Sequence, residues 1–184
     1  MIRCAGEALI DMLPREVAGG GNGFLPVAGG AVFNTSIALG RLGVSSGLYT
    51  GLSDDLFGEV LQAALRESKV DANLAKVSSR PTTLAFVTLT DGQARYAFYD
   101  ENTAGRMLGE DDLPSDLAGV SALFFGGISL VVEPCASAYE ALCLREAGSR
   151  AIMLDPNIRP GFIADEARFR ARMERMLGAA DIVK

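Results

Sequence analysis

Two adjacent glycines followed by a predicted helix form the first candidate binding site of this chain. Gly29 and Gly30 end a predicted strand, and the helix predicted over residues 33–42 carries Asn34 in its first turn. Glycine has no Cβ, so backbone N–H groups here can approach a ligand closely. A helix N-terminus adds unpaired donors and a partial positive charge, and Asn34 offers both a donor and an acceptor. Such a pocket suits a polyhydroxylated or anionic small molecule, although a simple tight turn would use the same residues.

Two acidic residues stand out in the first apolar stretch. Residues 2–13 are predicted to form one buried strand, and Glu7 and Asp11 interrupt its apolar character. A buried charge is costly unless it is paired or used. Ligands of open α/β sheets bind at the carboxyl ends of the strands, where Asp11 could accept hydrogen bonds from two sugar hydroxyls. The alternative is an aspartate that caps a turn at the end of the strand.

The composition excludes several classes of site. The chain has 184 residues and no histidine, which rules out Ser-His-Asp triads and histidine-based zinc sites within it. Its net charge of −6, without a basic run, argues against nucleic acid or an anionic membrane as the main partner. Three cysteines without a CxxC spacing fit reduced thiols, so we expect a cytoplasmic protein. No stretch reads as a signal peptide or as a membrane span.

Alternating strands and helices must position the candidate residues. This alternation predicts an α/β fold in which a parallel sheet lies between layers of helices. Residues 74–100 interrupt the pattern with a hairpin signal at Asp91-Gly92 and a return strand that places Tyr96 and Phe98 on one face. A hairpin of this kind is a candidate lid over a ligand.

Two predicted helices carry specific expectations about their buried faces. In the helix over residues 55–68, Leu56, Val60 and Ala64 are expected to face inward. In the helix over residues 164–177, apolar side chains are expected to face the core and arginines the solvent. The inward set is Phe169, Met173, Met176 and Leu177, and the outward set is Arg168, Arg172 and Arg175.

The order and spacing of these motifs resemble the ribokinase/PfkB family of carbohydrate kinases. The first family signature is matched within residues 27–58 by Gly29-Gly30, Asn34, Ser36, Gly40, Leu42-Gly43, Gly51 and Asp55-Leu-Phe-Gly58. The opening Gly-Glu-x-x-x-Asp, which ends at Asp11, is similar to that of fructokinase-like members. The segment Asp155-Pro-Asn-x-Arg159 resembles the family segment near the transferred phosphate.

The resemblance implies a fold and its organisation. It covers residues 1–184 but only the N-terminal part of a ribokinase-like domain, so we expect a parallel sheet sandwiched by helices that is incomplete at the C-terminus. Lid strands are expected around residues 15–30 and 74–100. The strand that begins at residues 180–184 would leave a free sheet edge, and we expect the chain to associate as a homodimer.

The resemblance also implies which residues bind the sugar. They are Asp11, Gly29, Gly30, Asn34, Phe98 and Arg106. Arg106 is a fixed cation with a planar fork, suited to hydroxyls or to a carboxylate. Its alternative role is an ordinary surface ion pair with Glu101 or Glu110.

A second group of residues is expected on the phosphate side. Arg159 could meet phosphate oxygens with two N–H groups, and Asn157 could order Mg²⁺-bound water. The alternative is an Asx turn made rigid by Pro156 and Pro160. ATP and Mg²⁺ are implied by the family. The second family signature, Asp-Thr-x-Gly-Ala-Gly-Asp, is absent from this sequence, so we expect the catalytic base beyond Lys184 and assign no catalytic residue here.

Three functions remain open from the sequence. The first is an ATP-dependent kinase that phosphorylates fructose, with this chain carrying the sugar-binding half and inactive alone. The second is a 2-keto-3-deoxygluconate kinase, which would hold its acidic sugar with an arginine. The third is a non-catalytic sugar-binding fragment. A Rossmann dehydrogenase is disfavoured because no strand–GxGxxG–helix unit is present.

Overall fold

The computed structural model describes residues 1–90 and 93–184. Its strands are β1 (Ile2–Ala5), β2 (Leu9–Glu16), β3 (Asn22–Gly29), β4 (Ser46–Tyr49), β5 (Gly51–Ser53), β6 (Lys76–Ser78), β7 (Leu84–Thr90), β8 (Gln93–Tyr99), β9 (Ala122–Gly126), β10 (Ala151–Asp155) and β11 (Ile182–Val183). Its helices are α1 (Ala31–Arg41), α2 (Leu56–Glu67), α3 (Cys135–Glu146) and α4 (Glu166–Ala179). Short 3₁₀ turns cover Glu110–Asp112, Ile128–Leu130 and Pro160–Phe162.

A parallel sheet flanked by helices forms the centre of the fold, as predicted. Its five strands run in the order β11-β10-β9-β1-β4, and every pairing between them is parallel. Alternate residues of a strand point to opposite faces. In β9, Phe125 packs into the apolar cluster with α3 and α4, whereas Phe124 packs into the cluster with α1 and α2. Helices therefore cover both faces of the sheet.

A second sheet stands over one end of the first. Its four strands have the order β3-β2-β7-β8. β2 pairs antiparallel with β3 and parallel with β7, and β7 pairs antiparallel with β8. The predicted turn Asp91-Gly92 lies outside the described residues. Lid strands were expected around residues 15–30 and 74–100. The second sheet begins earlier, at Leu9, and β6, which lies in the later range, pairs with β5 and is not part of this sheet.

The first apolar stretch is two strands rather than the single strand predicted. β1 ends at Ala5 inside the central sheet, and β2 begins at Leu9 inside the second sheet. Gly6 lies where the chain changes direction and packs closely against α1. A Cβ there would lie 2.5 Å from the Cγ2 atom of Val32, so a larger residue would not fit. Both strands are buried near the junction, so the apolar pattern of the sequence gives no sign that the chain changes sheets.

The predicted inward face of α2 is wrong at Leu56 and Val60, whereas Ala64 packs against the core as predicted. Leu56 is 71% exposed and Val60 is 38% exposed, whereas Leu61 and Leu65 are buried. The side chain of Asp55 caps the helix by accepting a hydrogen bond from Gly58 N at 2.8 Å. A Cβ at Gly58 would lie 1.9 Å from the carbonyl oxygen of Ser53, so this glycine has to pack against the preceding strand. That contact rotates the stripe of Gly58, Leu61 and Leu65 toward the core.

The predicted faces of α4 are wrong at two positions. Arg172 is only 2% exposed, and Leu177 is 42% exposed. Arg172 lies three residues after Phe169, on the buried stripe of the helix. Its guanidinium donates hydrogen bonds to Glu140 of α3 and to Glu133, which lies just before α3. Within the described residues, no helix combines the length and apolar character needed to cross a membrane.

Candidate functional site

A cavity of about 230 Å³ lies between the two sheets, at the carboxyl ends of β1, β9 and β10. The residues that line it are Glu7, Leu9, Asp11, Gly30, Ala31, Asn34, Tyr96, Phe98, Gly127, Ile128, Asn157, Arg159 and Phe162. Carboxyl ends of parallel strands are where open α/β sheets bind ligands. A larger apolar groove of about 370 Å³ runs along α4, but it holds none of the polar residues predicted to bind a ligand.

Asp11 faces this cavity from the second sheet. It was expected at the carboxyl end of a buried strand, and it lies instead on β2, paired with Val27 and Ala85. A Cβ at Gly29 would lie 2.3 Å from the Oδ2 atom of Asp11. Gly29 therefore makes room for the carboxylate rather than lining the cavity. Burial raises the pKa of Asp11 above its ordinary value.

The N-terminus of α1 is occupied by the carboxylate of Glu7. Its Oε1 atom accepts hydrogen bonds from the backbone N–H groups of Ala31 at 2.8 Å and Val32 at 3.3 Å. Its backbone carbonyl accepts a bond from Phe33 N at 3.2 Å. The expectation that these helix donors are free for a ligand is therefore wrong. In the sequence Glu7 stood out as a charge in an apolar stretch and as the glutamate of the Gly-Glu-x-x-x-Asp motif, but its hydrogen-bond partners could not be read there.

Glu7 joins three segments of the chain. Its Oε2 atom lies 3.0 Å from the hydroxyl of Ser129, which follows β9. Two glycines with positive φ surround the carboxylate, Gly30 at 107° and Gly127 at 72°. Cβ atoms there would lie 2.9 Å from the backbone oxygen of Glu7 and 2.1 Å from its Oε1 atom. Burial raises the pKa of Glu7 and outweighs the hydrogen bonds, which lower it.

Asn34 and Gly30 lie on the α1 side of the cavity. Asn34 is in the first turn of α1, as predicted, and its side chain is exposed toward the cavity it lines. The helix begins two residues earlier than predicted, at Ala31. A carboxylate from β2 and an amide from α1 thus face one cavity, and both groups can hydrogen-bond hydroxyls.

Arg106 does not lie at this cavity. Its Nε atom donates to the backbone oxygen of Glu133 at 3.1 Å, and its NH1 atom lies 3.2 Å from the Oδ1 atom of Asp100. Arg106 thus forms an ion pair, but its partner is Asp100 and not Glu101 or Glu110, the partners considered from the sequence. Arg106 joins the end of β8 to the segment that precedes α3.

Asn157 and Arg159 lie on the turn that follows β10. The carboxylate of Asp155 accepts a hydrogen bond from Asn157 N at 3.0 Å, which is the Asx turn considered above. Asn157 has a φ of 46°, a conformation that asparagine tolerates better than most residues. Arg159 is exposed, and its NH1 atom donates to the carbonyl of Ile158 at 3.1 Å. The turn therefore leaves both side chains at the cavity.

Two aromatic residues of the cavity were not among the predicted site residues. Tyr96 shares a face of β8 with Phe98, as the strand period indicated, and the ring centroids are 6.1 Å apart. Phe162 lies after β10, and its ring meets that of Phe98 edge-on at 4.7 Å. The position of Tyr96 could have been inferred from Phe98, but nothing in the sequence marks the turn of Phe162 as a neighbour of β8.

Comparisons with known proteins agree on a family. A family model described as pfkB family carbohydrate kinase matches residues 1–184. A curated fructokinase of Rhizobium leguminosarum bv. trifolii is 56% identical over 184 residues, which cover 100% of this chain and 56% of that protein. Fructokinase-1 of Zea mays is 37% identical over 187 residues, covering 97% of this chain and 58% of that protein. The chain spans a little over half the length of these relatives.

Solved structures with the same fold include one that holds a nucleotide. The crystal structure of fructokinase from Xylella fastidiosa with bound ATP superposes with a TM-score of 0.88 at 28% sequence identity. The match covers 99% of this chain and 59% of that chain.

Proposed function

We propose that this chain, which belongs to the pfkB family of carbohydrate kinases, carries the sugar-binding part of an ATP-dependent fructokinase. In that reaction a hydroxyl oxygen of the sugar forms a bond to the γ-phosphorus of ATP. The bond from this phosphorus to the bridging oxygen breaks, ADP leaves, and the hydroxyl proton passes to a base. The observation that carries the proposal is the cavity shared by Asp11, Gly30 and Asn34, which offers hydroxyl-binding groups in a match to the family that extends over residues 1–184.

The residues around the cavity have distinct roles in this proposal. Asp11 accepts hydrogen bonds from two sugar hydroxyls, and Asn34 donates to and accepts from others. Gly29 leaves room for the Asp11 carboxylate. The second sheet acts as a lid, in which Phe98 covers the apolar C–H surface of the sugar and excludes water.

Asn157 and Arg159 form the phosphate side of the site. They lie at the carboxyl end of β10, on the same cavity as the sugar-binding groups. Arg159 can meet phosphate oxygens with two parallel N–H groups, and it stabilises the charge that accumulates there during transfer.

The described residues contain no cluster of acidic side chains that by itself makes a magnesium site. Asp155 is the carboxylate closest in sequence to Asn157 and Arg159. One of its oxygens accepts a hydrogen bond from Asn157 N, and the other lies 2.9 Å from the ammonium group of Lys184. We therefore propose Mg²⁺ only as the companion of ATP phosphates and assign no step to it here.

The position of Arg106 favours a neutral sugar over an acidic one. A 2-keto-3-deoxygluconate kinase would hold the sugar carboxylate with an arginine, and Arg106 was the residue available on the lid side. It is paired with Asp100 away from the cavity, whereas the carboxylate of Asp11 faces the cavity. A carboxylate repels an acidic sugar and accepts hydrogen bonds from a neutral one, so fructose is the better substrate.

A non-catalytic sugar-binding protein is the remaining alternative. The 184 residues contain no Gly-Ala-Gly-Asp sequence, and no residue of the cavity is assigned as the catalytic base. We therefore expect this polypeptide alone to bind fructose without turning it over.

Calorimetric titration with fructose, together with an ADP-release assay, tests the proposal. We expect fructose to bind the chain, 2-keto-3-deoxygluconate to bind at least tenfold more weakly, and Asp11→Asn to lower fructose affinity about tenfold or more, because a charged acceptor is lost. Asp116→Asn, which changes an exposed aspartate that does not line the cavity, is the matched control. Absence of fructose binding, or equal binding by Asp11→Asn, would contradict the proposal.

We also propose a homodimer in the cytoplasm. β3 is an edge strand of the second sheet, and it exposes Leu25 by 46% and Val27 by 38%. Apolar side chains on an exposed edge favour pairing with a second copy.

The proposed location in the cytoplasm is supported by the cysteines. Cys4, Cys135 and Cys143 are free thiols, which suits a reducing compartment. The net charge of −6 supports partners other than nucleic acid or anionic membrane.

A further inference from the structure

One aromatic contact joins the second sheet to the turn that carries Arg159. Phe98 belongs to β8, and Phe162 belongs to the 3₁₀ turn after β10. Their ring planes meet at 71° with centroids 4.7 Å apart, which is the edge-to-face geometry that aromatic rings favour. Both rings line the cavity. The contact therefore closes the cavity on the side of the phosphate-binding residues.

Phe162 is joined to Arg159 by a backbone hydrogen bond within the turn. The backbone N–H of Phe162 donates to the carbonyl of Arg159 at 3.0 Å, and that of Ile163 donates to Pro160 O at 3.1 Å. Arg159 is exposed, and its guanidinium donates to carbonyls of its own turn, Asn157 at 3.4 Å and Ile158 at 3.1 Å. The position of the Arg159 guanidinium therefore depends on the conformation of this turn. The contact of the Phe162 ring with Phe98 holds one end of the turn in place.

Phe98 is linked to the sugar side of the cavity. It pairs with Ala85 across the sheet, and Ala85 pairs with Asp11, so Phe98 and Asp11 lie on the same face of three adjacent strands. The C-terminal end of β8, two residues beyond Phe98, is fixed to the body of the protein through Asp100, Arg106 and Glu133. Anchored next to this point, Phe98 keeps its contact with Phe162 when a sugar on Asp11 holds the sheet down.

We propose that Phe162 is a positioning residue, which makes closure of the second sheet over a sugar and placement of Arg159 for phosphate one coupled event. This inference rests on the proposed function. Fructose held by Asp11 keeps the sheet in its closed position, Phe98 stays against Phe162, and the turn of Arg159 is ordered. Coupling between two binding sites is reciprocal, so a phosphate group held by Arg159 also favours the closed sheet and tightens the sugar.

Hydrogen exchange and fructose titration of the 184-residue chain test the inference. In the unaltered chain we expect fructose to protect the backbone amides of residues 158–163. Phe162→Ala should abolish that protection and weaken fructose binding roughly three- to tenfold, the range expected for losing one aromatic pair. Phe162→Tyr retains the ring and should restore both properties. Residues 31–34, at the start of α1, should be protected by fructose in all variants.

Phe24→Ala provides the matched control. Phe24 makes the same kind of edge-on contact with Phe86, at 4.9 Å and 81°, on the face of the sheet away from the cavity. It should leave both fructose affinity and protection of residues 158–163 unchanged. If Phe162→Ala still binds fructose with unchanged affinity and with protection of residues 158–163 intact, only the proposed role of Phe162 is overturned. Failure of the unaltered chain to bind fructose would contradict both the proposed function and the role of Phe162.

Discussion

At the scale of the residue, Asp11 shows how one environment serves binding and opposes stability. Its carboxylate faces a cavity roofed by aromatic rings, and burial raises its pKa from the ordinary 3.8. The folded protein therefore holds the proton of Asp11 more tightly than the unfolded chain does. Stability from this group is fully present below the ordinary pKa and is lost as the pH rises through the raised value. At neutral pH the charge needed for hydroxyl binding costs folding free energy.

Asp11→Asn is therefore expected to stabilise the protein at neutral pH while it weakens fructose binding. The gain should be below about 1 kcal/mol, or roughly 2–4 °C in melting temperature for a chain of this size. Thermal melts of both proteins between pH 3 and pH 8 check this. The two curves should converge at the acid end, where Asp11 is protonated, and a variant that is less stable throughout would contradict the account.

The same scale shows how far the sequence located the cavity. The family resemblance implied Asp11, Gly30, Asn34, Phe98 and the 157–159 turn as site residues, and the fold gathers them around one cavity. Arg106 was predicted with them but lies elsewhere. An arginine carries its charge on a long chain, so its sequence position leaves open which acceptor it meets. The proximity of Asp100 and the Glu133 carbonyl exists only in the folded chain.

Gly127 tests the packing around Glu7 with a control glycine of similar φ. Gly127 and Gly119 have φ values of 72° and 76°, so alanine is strained at both positions, and at Gly127, where ψ is −161°, the backbone strain costs about 1–3 kcal/mol. A Cβ at Gly127 would also lie 2.1 Å from the Oε1 atom of Glu7, whereas nothing lies within 4 Å at Gly119. We expect Gly127→Ala to cost about 2 kcal/mol more than Gly119→Ala in chemical denaturation. Equal losses would mean that Glu7 can move away freely.

At the scale of the element, α4 shows why patterns of residue type mislead. Its arginines looked like one solvated face, yet Arg172 lies on the buried stripe with Phe169 and Met176. Burial alone would raise the pKa of Glu140, but hydrogen bonds from Arg175 and Arg172 outweigh it and lower that pKa. The acids that neutralise Arg172 lie on and just before α3, some 30 residues away. Periodicity within α4 carries no information about those partners.

Removal of Arg172 should be costly in a way that removal of Arg175 is not. Arg172→Ala leaves Glu133 and Glu140 without their buried partner, and we expect a loss of about 3 kcal/mol. Arg175 also pairs with Glu140, but its side chain is 52% exposed, so Arg175→Ala should cost far less than Arg172→Ala. Urea unfolding followed by circular dichroism measures both. Similar small losses for the two variants would show that the buried pair contributes little net stability.

At the scale of the whole molecule, two sheets contribute different residues to the cavity. The central sheet supplies strand ends and glycine turns, and the second sheet supplies Asp11 and the aromatic roof. The alternation of strands and helices was sufficient to predict the central sheet. It was insufficient to show that residues 2–13 pass from one sheet into the other, because both environments bury the same apolar side chains.

Association through the second sheet is a property of this scale. Leu25→Lys should convert the proposed homodimer to monomers, because it places a charge on the exposed face of edge strand β3. Leu42→Lys is the matched control, since Leu42 is 80% exposed at the end of α1 and outside the second sheet. Sedimentation velocity over a concentration series distinguishes the two. A dimer that persists in Leu25→Lys would place the interface elsewhere.

The carboxylate of Glu7 at the start of α1 has a consequence for the sensitivity of the site to salt. A helix N-terminus that is open to solvent attracts chloride or phosphate from the buffer, and a ligand then has to displace that ion. Here a carboxyl group of the protein takes that place, since the Oε1 atom of Glu7 accepts a hydrogen bond from Ala31 N at 2.8 Å, and burial keeps dissolved ions away from it. Sugar affinity on this side of the cavity should therefore stay constant as ionic strength rises, while affinity for anions at the exposed guanidinium of Arg159 declines.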